Sequence, residues 1–329
     1  DSAVNIIGVE SASDWLLTGS GLRDTLFCAL FLILTSLIVL GGVKSGIEKW
    51  SVRLMPTLVV IILALIVYVS FQPGAVEGWS AYLVPDFSQI MNPDLLISAM
   101  GQAFFSMSLG VGTMLVYGSY VSKHENLPTL GASVALVDIG VAVIAGMLII
   151  PSMYVALNNG VEIFTSDGAL IEGDTLIFTV LPALFDTIGT VGLLVAFAFF
   201  ALMVIAAVTS SISMLEVPVA YLVESKSIAR KRAVWLVTAV IFAASTTIIF
   251  NFEQLFGLVI SVTTQYSQPL LGLALCIFAG WVWRRDAILK ELRAGNDEIE
   301  SGLFWKIWPW YVRFVCPVII FVMFFRSVA

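Results

Sequence analysis

This chain of 329 residues has little of what soluble enzymes use for chemistry: one histidine, three cysteines and only 12% charged residues. With His124 standing alone, histidine-based metal binding and acid/base catalysis have no second group to work with. Cys28, Cys276 and Cys316 are far apart in the sequence and lie in or beside apolar runs, the setting of structural thiols rather than of a disulfide or metal framework. No HExxH or GxSxG motif occurs, which sets aside intramembrane hydrolysis. No ring of charge repeats along the chain, as a channel would need. The formal net charge of −7 reads as solvated loops and offers nothing to nucleic acid.

What is abundant is apolar surface, at 59% hydrophobic residues and a mean hydropathy of +1.00. That excludes a water-soluble globule and predicts an all-α, polytopic membrane bundle. A spanning helix needs about 20 mostly apolar residues. Eight such runs are found, at 26–43, 54–72, 95–122, 128–157, 187–223, 233–251, 255–283 and 303–327. Lys and Arg fall in every second loop: Lys44, Lys49 and Arg53, then Lys123, then Lys226, Arg230, Lys231 and Arg232, then Arg284, Arg285, Lys290 and Arg293. Basic loops stay cytoplasmic. The alternate loops 73–94 and 158–186 carry only acids, including Glu77, Asp86, Asp94, Glu162, Asp167, Glu172 and Asp174, and are expected outside. Arg23 is the exception, on the outer side. Both ends are then outside, and 1–22 has no signal-peptide pattern. An odd number of helices is therefore expected upstream.

An ionisable group inside a span is costly and is by default a candidate for function. Asp138, Glu216 and Arg313 qualify. Arg313 follows WKIWPWY and is expected to snorkel among the tryptophans. Asp138 is too deep to snorkel, and a cation is its natural partner. The stretch AAVTSSISMLE, Ala206 to Glu216, interrupts an apolar helix with hydroxyls. These can serve close helix packing or act as hard oxygen ligands for sodium. In GQAFFSMSLGVG, Gly101 to Gly112, serines and glycines occupy the middle of a span, which predicts a local unwinding at a transport site.

At these residues the sequence resembles the neurotransmitter:sodium symporter family, particularly its bacterial eleven-helix amino-acid transporters. PDFSQIMNPDLLISAMGQAFFSMSLGVGTMLVYGSYV is similar to the approach to that family's sixth helix, GGVKSGIEKWSVRLMP to the link between its fourth and fifth, and TSSISMLEVPVAYLVE to its eighth. The resemblance implies a leucine-transporter inverted-repeat fold with the second repeat complete and the first truncated. On that basis 1–22 is an extracellular segment and 23–72 holds family helices four and five. Segment 95–283 holds helices six to ten, 284–302 is a cytoplasmic loop and 303–329 is helix eleven.

The resemblance also implies roles. Phe105 would be the lid over an amino acid, with Ser108, Leu109, Gly110, Val111, Ser211 and Met214 lining its pocket. Ser106 and Asp138 would ligate a first sodium ion, and Ala206, Thr209 and Ser210 a second. Gln102 belongs to the family's chloride region. Asp138 stands where the family has asparagine and Ala142 where chloride-dependent members have serine, so chloride independence is expected, with the carboxylate free to take a proton when sodium leaves. Glu216 is expected to be a gate or a structural hydrogen-bond acceptor. Glu253 is the nearest acid to the outer-gate position on helix ten. The implied function is sodium-coupled symport of a neutral, apolar or aromatic L-amino acid by alternating access. It would act in a plasma membrane, with a bacterial inner membrane as the expected setting, together with the protein's own upstream helices. A second reading, a non-transporting membrane fragment or binding scaffold, rests on the lack of the family's first helix.

Overall fold

The computed structural model describes residues 20–85, 87–165, 170–171, 176–187 and 190–328. Most of the expected segment 1–22 and parts of the loop 158–186, Asp167, Glu172 and Asp174 among them, lie outside the described residues, as does Asp86. Long apolar segments have one solution in lipid, because the helix alone satisfies every backbone group within its own segment. Accordingly the described chain is almost entirely helical: α1 (Gly21–Leu40), α2 (Lys49–Ser70), α3 (Ala75–Leu83), α4 (Pro93–Ser106), α5 (Thr113–Tyr120), α6 (Leu127–Asn158), α7 (Leu181–Thr187), α8 (Thr190–Lys226), α9 (Arg230–Phe250), α10 (Phe252–Val282), α11 (Arg285–Arg293) and α12 (Leu303–Arg326).

Six of these segments are long and apolar enough to cross a membrane unbroken: α1, Val43–Ser70, α6, α8 from Val191, α9 and α12. A seventh is α10, followed after a bend of 99° by the amphipathic α11. The apolar run 95–122 is not one helix. It is split into α4 and α5, each too short to span alone. Wider turns interrupt α10 at Ser261–Ser267 and α12 at Tyr311–Val315. Such local bulges open the hydrogen-bond ladder without ending the helix.

The described residues fall into two compact units, whose boundaries run between α3 and α4, within α6 and within α8. In the first, residues up to 86 with 140–212, the core is built from Ile62, Leu65 and Val69 of α2, Leu148, Met153 and Val155 of α6, Leu181, Leu184 and Phe185 of α7, and Phe199 and Leu202 of α8. Tyr82 of α3 donates to the Val143 carbonyl at 3.1 Å and its ring lies where any side chain at Gly146 would go, which seats α3 on α6.

The second unit, 87–139 with 213–329, holds the broken helix. Here α10 runs along α12, and the thiols of Cys276 and Cys316 meet between them as free cysteines. Below that pair, Ile288 and Leu292 of α11 pack with Ile299 and Trp305. Arg313 does more than snorkel. Its Nε donates to the Gly280 carbonyl at 2.7 Å and its guanidinium lies 5.0 Å above the Trp281 ring, both on α10.

Candidate functional site

The break between α4 and α5 is built from backbone conformations that a helix cannot contain. Ser108 has φ +50°, Gly110 +80° and Gly112 +92°, all in the left-handed region. That region is nearly free for glycine and costs other residues about 1–2 kcal/mol. Space demands glycine at 110 as well, because a Cβ there would strike the backbone carbonyl of Gln268 on α10. At Gly112 a Cβ would meet only Val217 Cγ1, at 3.3 Å. The carbonyls of Ser106, Met107, Leu109 and Gly110 take no backbone partner among the described residues, and the buried hydroxyl of Thr113 has none either. The turn thus presents free oxygen atoms between the negative end of α4 and the positive end of α5.

Asp138 reaches this turn from α6. The Ser106 hydroxyl donates to Asp138 Oδ1 at 2.7 Å. Among the described residues no Lys or Arg pairs with Asp138, so its charge is met by one neutral hydroxyl. The donor set here is all hard oxygen, the chemistry that fits an alkali cation. Gln102 lies one turn before Ser106 on α4 and is exposed. Phe105 lines a cavity of about 290 Å³ with Gly101, Phe104, Gln265 and Gln268. Leu109 and Val111 lie in the turn itself, and Met214 of α8 is half exposed.

In the first unit, the Thr209 hydroxyl donates to the carbonyls of Ile205 and Ala206, at 3.1 and 2.9 Å. Ala206 also borders an apolar cavity of about 370 Å³. Ser210 and Ser211 follow on the next turn, Ser210 exposed and Ser211 partly buried.

Glu216 is completely buried, and its carboxylate is fully engaged. Arg230 grips it in a two-pronged pair, Nη2 to Oε2 at 2.6 Å and Nη1 to Oε1 at 3.1 Å, while Tyr120 donates to Oε1 at 2.8 Å. One turn back, Tyr117 donates to Ser213 Oγ at 2.9 Å. The spacing explains the pairing: 117 and 120 share a face of α5, as 213 and 216 share a face of α8. Two hydroxyls therefore zip α5 to the basic end of α8. The sequence reading missed Tyr117, Tyr120, Arg230 and Gln268. Matched i, i+3 spacings of tyrosines against Ser213 and Glu216 were the available signal for the first two. Tyr120→Phe removes one charge-assisted bond from a buried acceptor and is expected to cost about 1.5–3 kcal/mol in thermal or denaturant unfolding in detergent.

Against known proteins, the family model described as the sodium:neurotransmitter symporter family matches residues 17–329. The chain belongs to this family. It is 31% identical over 314 residues to an uncharacterised sodium-dependent transporter of Bacillus subtilis, covering 91% of this chain and 65% of that protein. Against one of Haemophilus influenzae it is 34% identical over 312 residues, covering 92% and 65%. A more distant similarity, 27% over 305 residues, is to the sodium-dependent serotonin transporter of Drosophila melanogaster, of which it covers 46%. Among solved structures, MhsT in complex with L-phenylalanine matches with a TM-score of 0.74 at 34% identity, over 91% of this chain and 67% of that one.

The chain thus spans 65% of the length of the first two relatives. It is a multi-pass membrane protein with the all-α architecture of the leucine-transporter type, and its relatives are transporters rather than enzymes.

Proposed function

We propose that this protein carries out sodium-coupled symport of a neutral, apolar or aromatic L-amino acid, independent of chloride. The observation that carries the reading is Asp138. It is a carboxylate inside a span, held by the Ser106 hydroxyl at the edge of a broken helix, with no basic residue among the described ones to neutralise it. A sodium ion supplies the missing charge, and the unpaired carbonyls of the turn supply further oxygens. The two helix ends suit a zwitterion: the N-terminus of α5 favours a carboxylate and the C-terminus of α4 an ammonium group. Phe105, Val111 and Met214 offer apolar contacts to a side chain, with Ser108, Leu109 and Gly110 beside them in the turn, and the family resemblance adds Ser211 to the set. L-Phenylalanine in MhsT supports an aromatic substrate here. The hydroxyls of Thr209 and Ser210 and the carbonyl of Ala206 are candidates for a second sodium ion.

Asp138 has a further consequence. A carboxylate fixed at the sodium site provides the negative charge that chloride would otherwise bring, so anion replacement should matter little. The cluster of Glu216, Arg230 and Tyr120 belongs to the end marked by basic loops, and its bonds must break or travel together when that end opens.

The test is uptake of radiolabelled phenylalanine and leucine by the full-length protein in proteoliposomes, with inward gradients of sodium or potassium. Sodium-driven accumulation that persists when gluconate replaces chloride is the expected result. In Asp138→Asn the sodium concentration for half-maximal uptake should rise at least tenfold, because the ion loses the full counter-charge of that carboxylate. Equal uptake in potassium would end the sodium-coupled reading, and an unchanged sodium requirement in Asp138→Asn would remove that residue from the site.

A further inference from the structure

The corner where α10, α11 and α12 meet is a second polar centre, separate from the helix break and unused by transport as proposed above. A cavity of about 220 Å³ opens there between Gly280, Arg285, Trp305, Trp308 and Arg313. Two arginines and no acid line it. Arg313 spends its Nε on the Gly280 carbonyl, a contact that requires glycine, since a Cβ at 280 would lie 3.0 Å from Arg313 Cα. The two terminal amino groups of Arg313 have no acceptor among the described residues. Arg285 rests its guanidinium 5.4 Å from the centre of the Trp305 ring and makes no ion pair among the described residues. Trp305 is 2% exposed, and its indole N–H is buried without an acceptor among the described residues. A buried donor left unmet costs about 1–3 kcal/mol, so this arrangement calls for an acceptor from elsewhere.

Charge defines that acceptor. Two forked cations on one cavity without a carboxylate, beside a buried N–H donor that has no acceptor among the described residues, match the oxygens of a phosphate, which guanidinium groups bind in pairs of parallel bonds. Of the nearby acids, Asp286 does not line the cavity, and Glu291 lines only the groove beside it. That groove, about 510 Å³, shares Trp283, Ile288 and Trp308 with the cavity and continues along Leu127, Leu292 and Phe304. Apart from Glu291 its lining is apolar, the surface a hydrocarbon chain takes. The corner sits at the start of the 284–302 loop, whose Arg284, Arg285, Lys290 and Arg293 mark it as cytoplasmic, and Trp283, Trp308 and Trp310 cluster there as aromatic side chains do at a membrane interface.

We propose that this corner binds one anionic phospholipid of the cytoplasmic leaflet, its phosphate held by Arg285, Arg313 and the Trp305 N–H and an acyl chain lying in the adjoining groove. Basic pockets between spanning helices on that side are suited to such headgroups. The lipid joins α11, through Arg285, to α10 and α12, which otherwise meet at this level through the Gly280 and Trp281 contacts to Arg313.

Native mass spectrometry of the full-length protein, delipidated in detergent and titrated separately with phosphatidylglycerol, phosphatidylcholine and inorganic phosphate, tests this. One tightly held phosphatidylglycerol is expected, with at least tenfold weaker retention in Arg285→Gln/Arg313→Gln and a measurable loss in Trp305→Phe, which keeps the packing but removes the donor. Arg285→Lys/Arg313→Lys, with charge kept and the forks removed, should fall between. Lys290→Gln/Arg293→Gln, which removes two charges outside the cavity, should leave retention unchanged. Equal loss in this last variant would reduce the effect to general charge and overturn the site. So would retention by Arg285→Gln/Arg313→Gln at the wild-type level, or occupancy by inorganic phosphate with no preference for the lipid.

Discussion

Replacing Arg230 by Met is expected to destabilise the protein by about 3–5 kcal/mol, at the lower end of that range because the Arg230 side chain is 25% exposed and water can replace part of its charge. Glu216 is fully buried and accepts from both amino groups of Arg230. Without the arginine, among the described residues only the Tyr120 hydroxyl remains on a carboxylate in low dielectric. The cost belongs to the stranded charge rather than to the lost bond. It follows that Glu216→Gln added to Arg230→Met should recover most of the loss, although Glu216→Gln alone is itself destabilising. The measurement is a double-mutant cycle on thermal unfolding in detergent. An Arg230→Met change below about 1 kcal/mol would make the pair an ordinary screened one. A double variant no better than Arg230→Met would show that the arginine acts through packing.

The second large effect is expected at Gly110. Alanine there bears the left-handed φ of +80° and drives a Cβ into the Gln268 carbonyl, which is backbone and cannot swing aside. Either the turn or α10 must shift, moving Ser106 and the free carbonyls away from Asp138. Gly110→Ala should lower sodium-dependent amino-acid binding at least tenfold while the protein stays folded by thermal melting. Gly112→Ala is the internal control. Its φ of +92° imposes comparable strain, but its Cβ meets only the Val217 methyl at 3.3 Å, which can give way. A smaller loss is therefore expected. Equal effects at 110 and 112 would mean that strain in the turn, and not the approach of α10, governs the site.

How much of this was legible beforehand follows from what sets each feature. The break in the 95–122 run could be read because serine and glycine are local causes: they lower helix stability wherever they stand. Asp138 and Glu216 stood out for the same reason, since a charge in an apolar run is costly whatever surrounds it. Their partners could not be read. Arg230 looked like one more basic residue of a loop, yet it is the counter-charge of Glu216, fourteen residues earlier. Tyr120 was not singled out, and Gln268 had no signal at all, because its role lies in a backbone carbonyl that any residue would carry.

Arg313 shows the same division. Its position among tryptophans predicted snorkelling, which is a property of one side chain and its depth, whereas its bond to the Gly280 carbonyl depends on how closely α10 approaches α12. Composition, hydropathy and the spacing of basic loops thus determined that this is a multi-pass helical membrane protein, and local chemistry determined which positions carry charge or break a helix. Which of those positions meet was decided only by the tertiary structure, because contacts between residues tens or hundreds of positions apart arise from helix packing, and packing distances are not encoded in any single stretch of the chain.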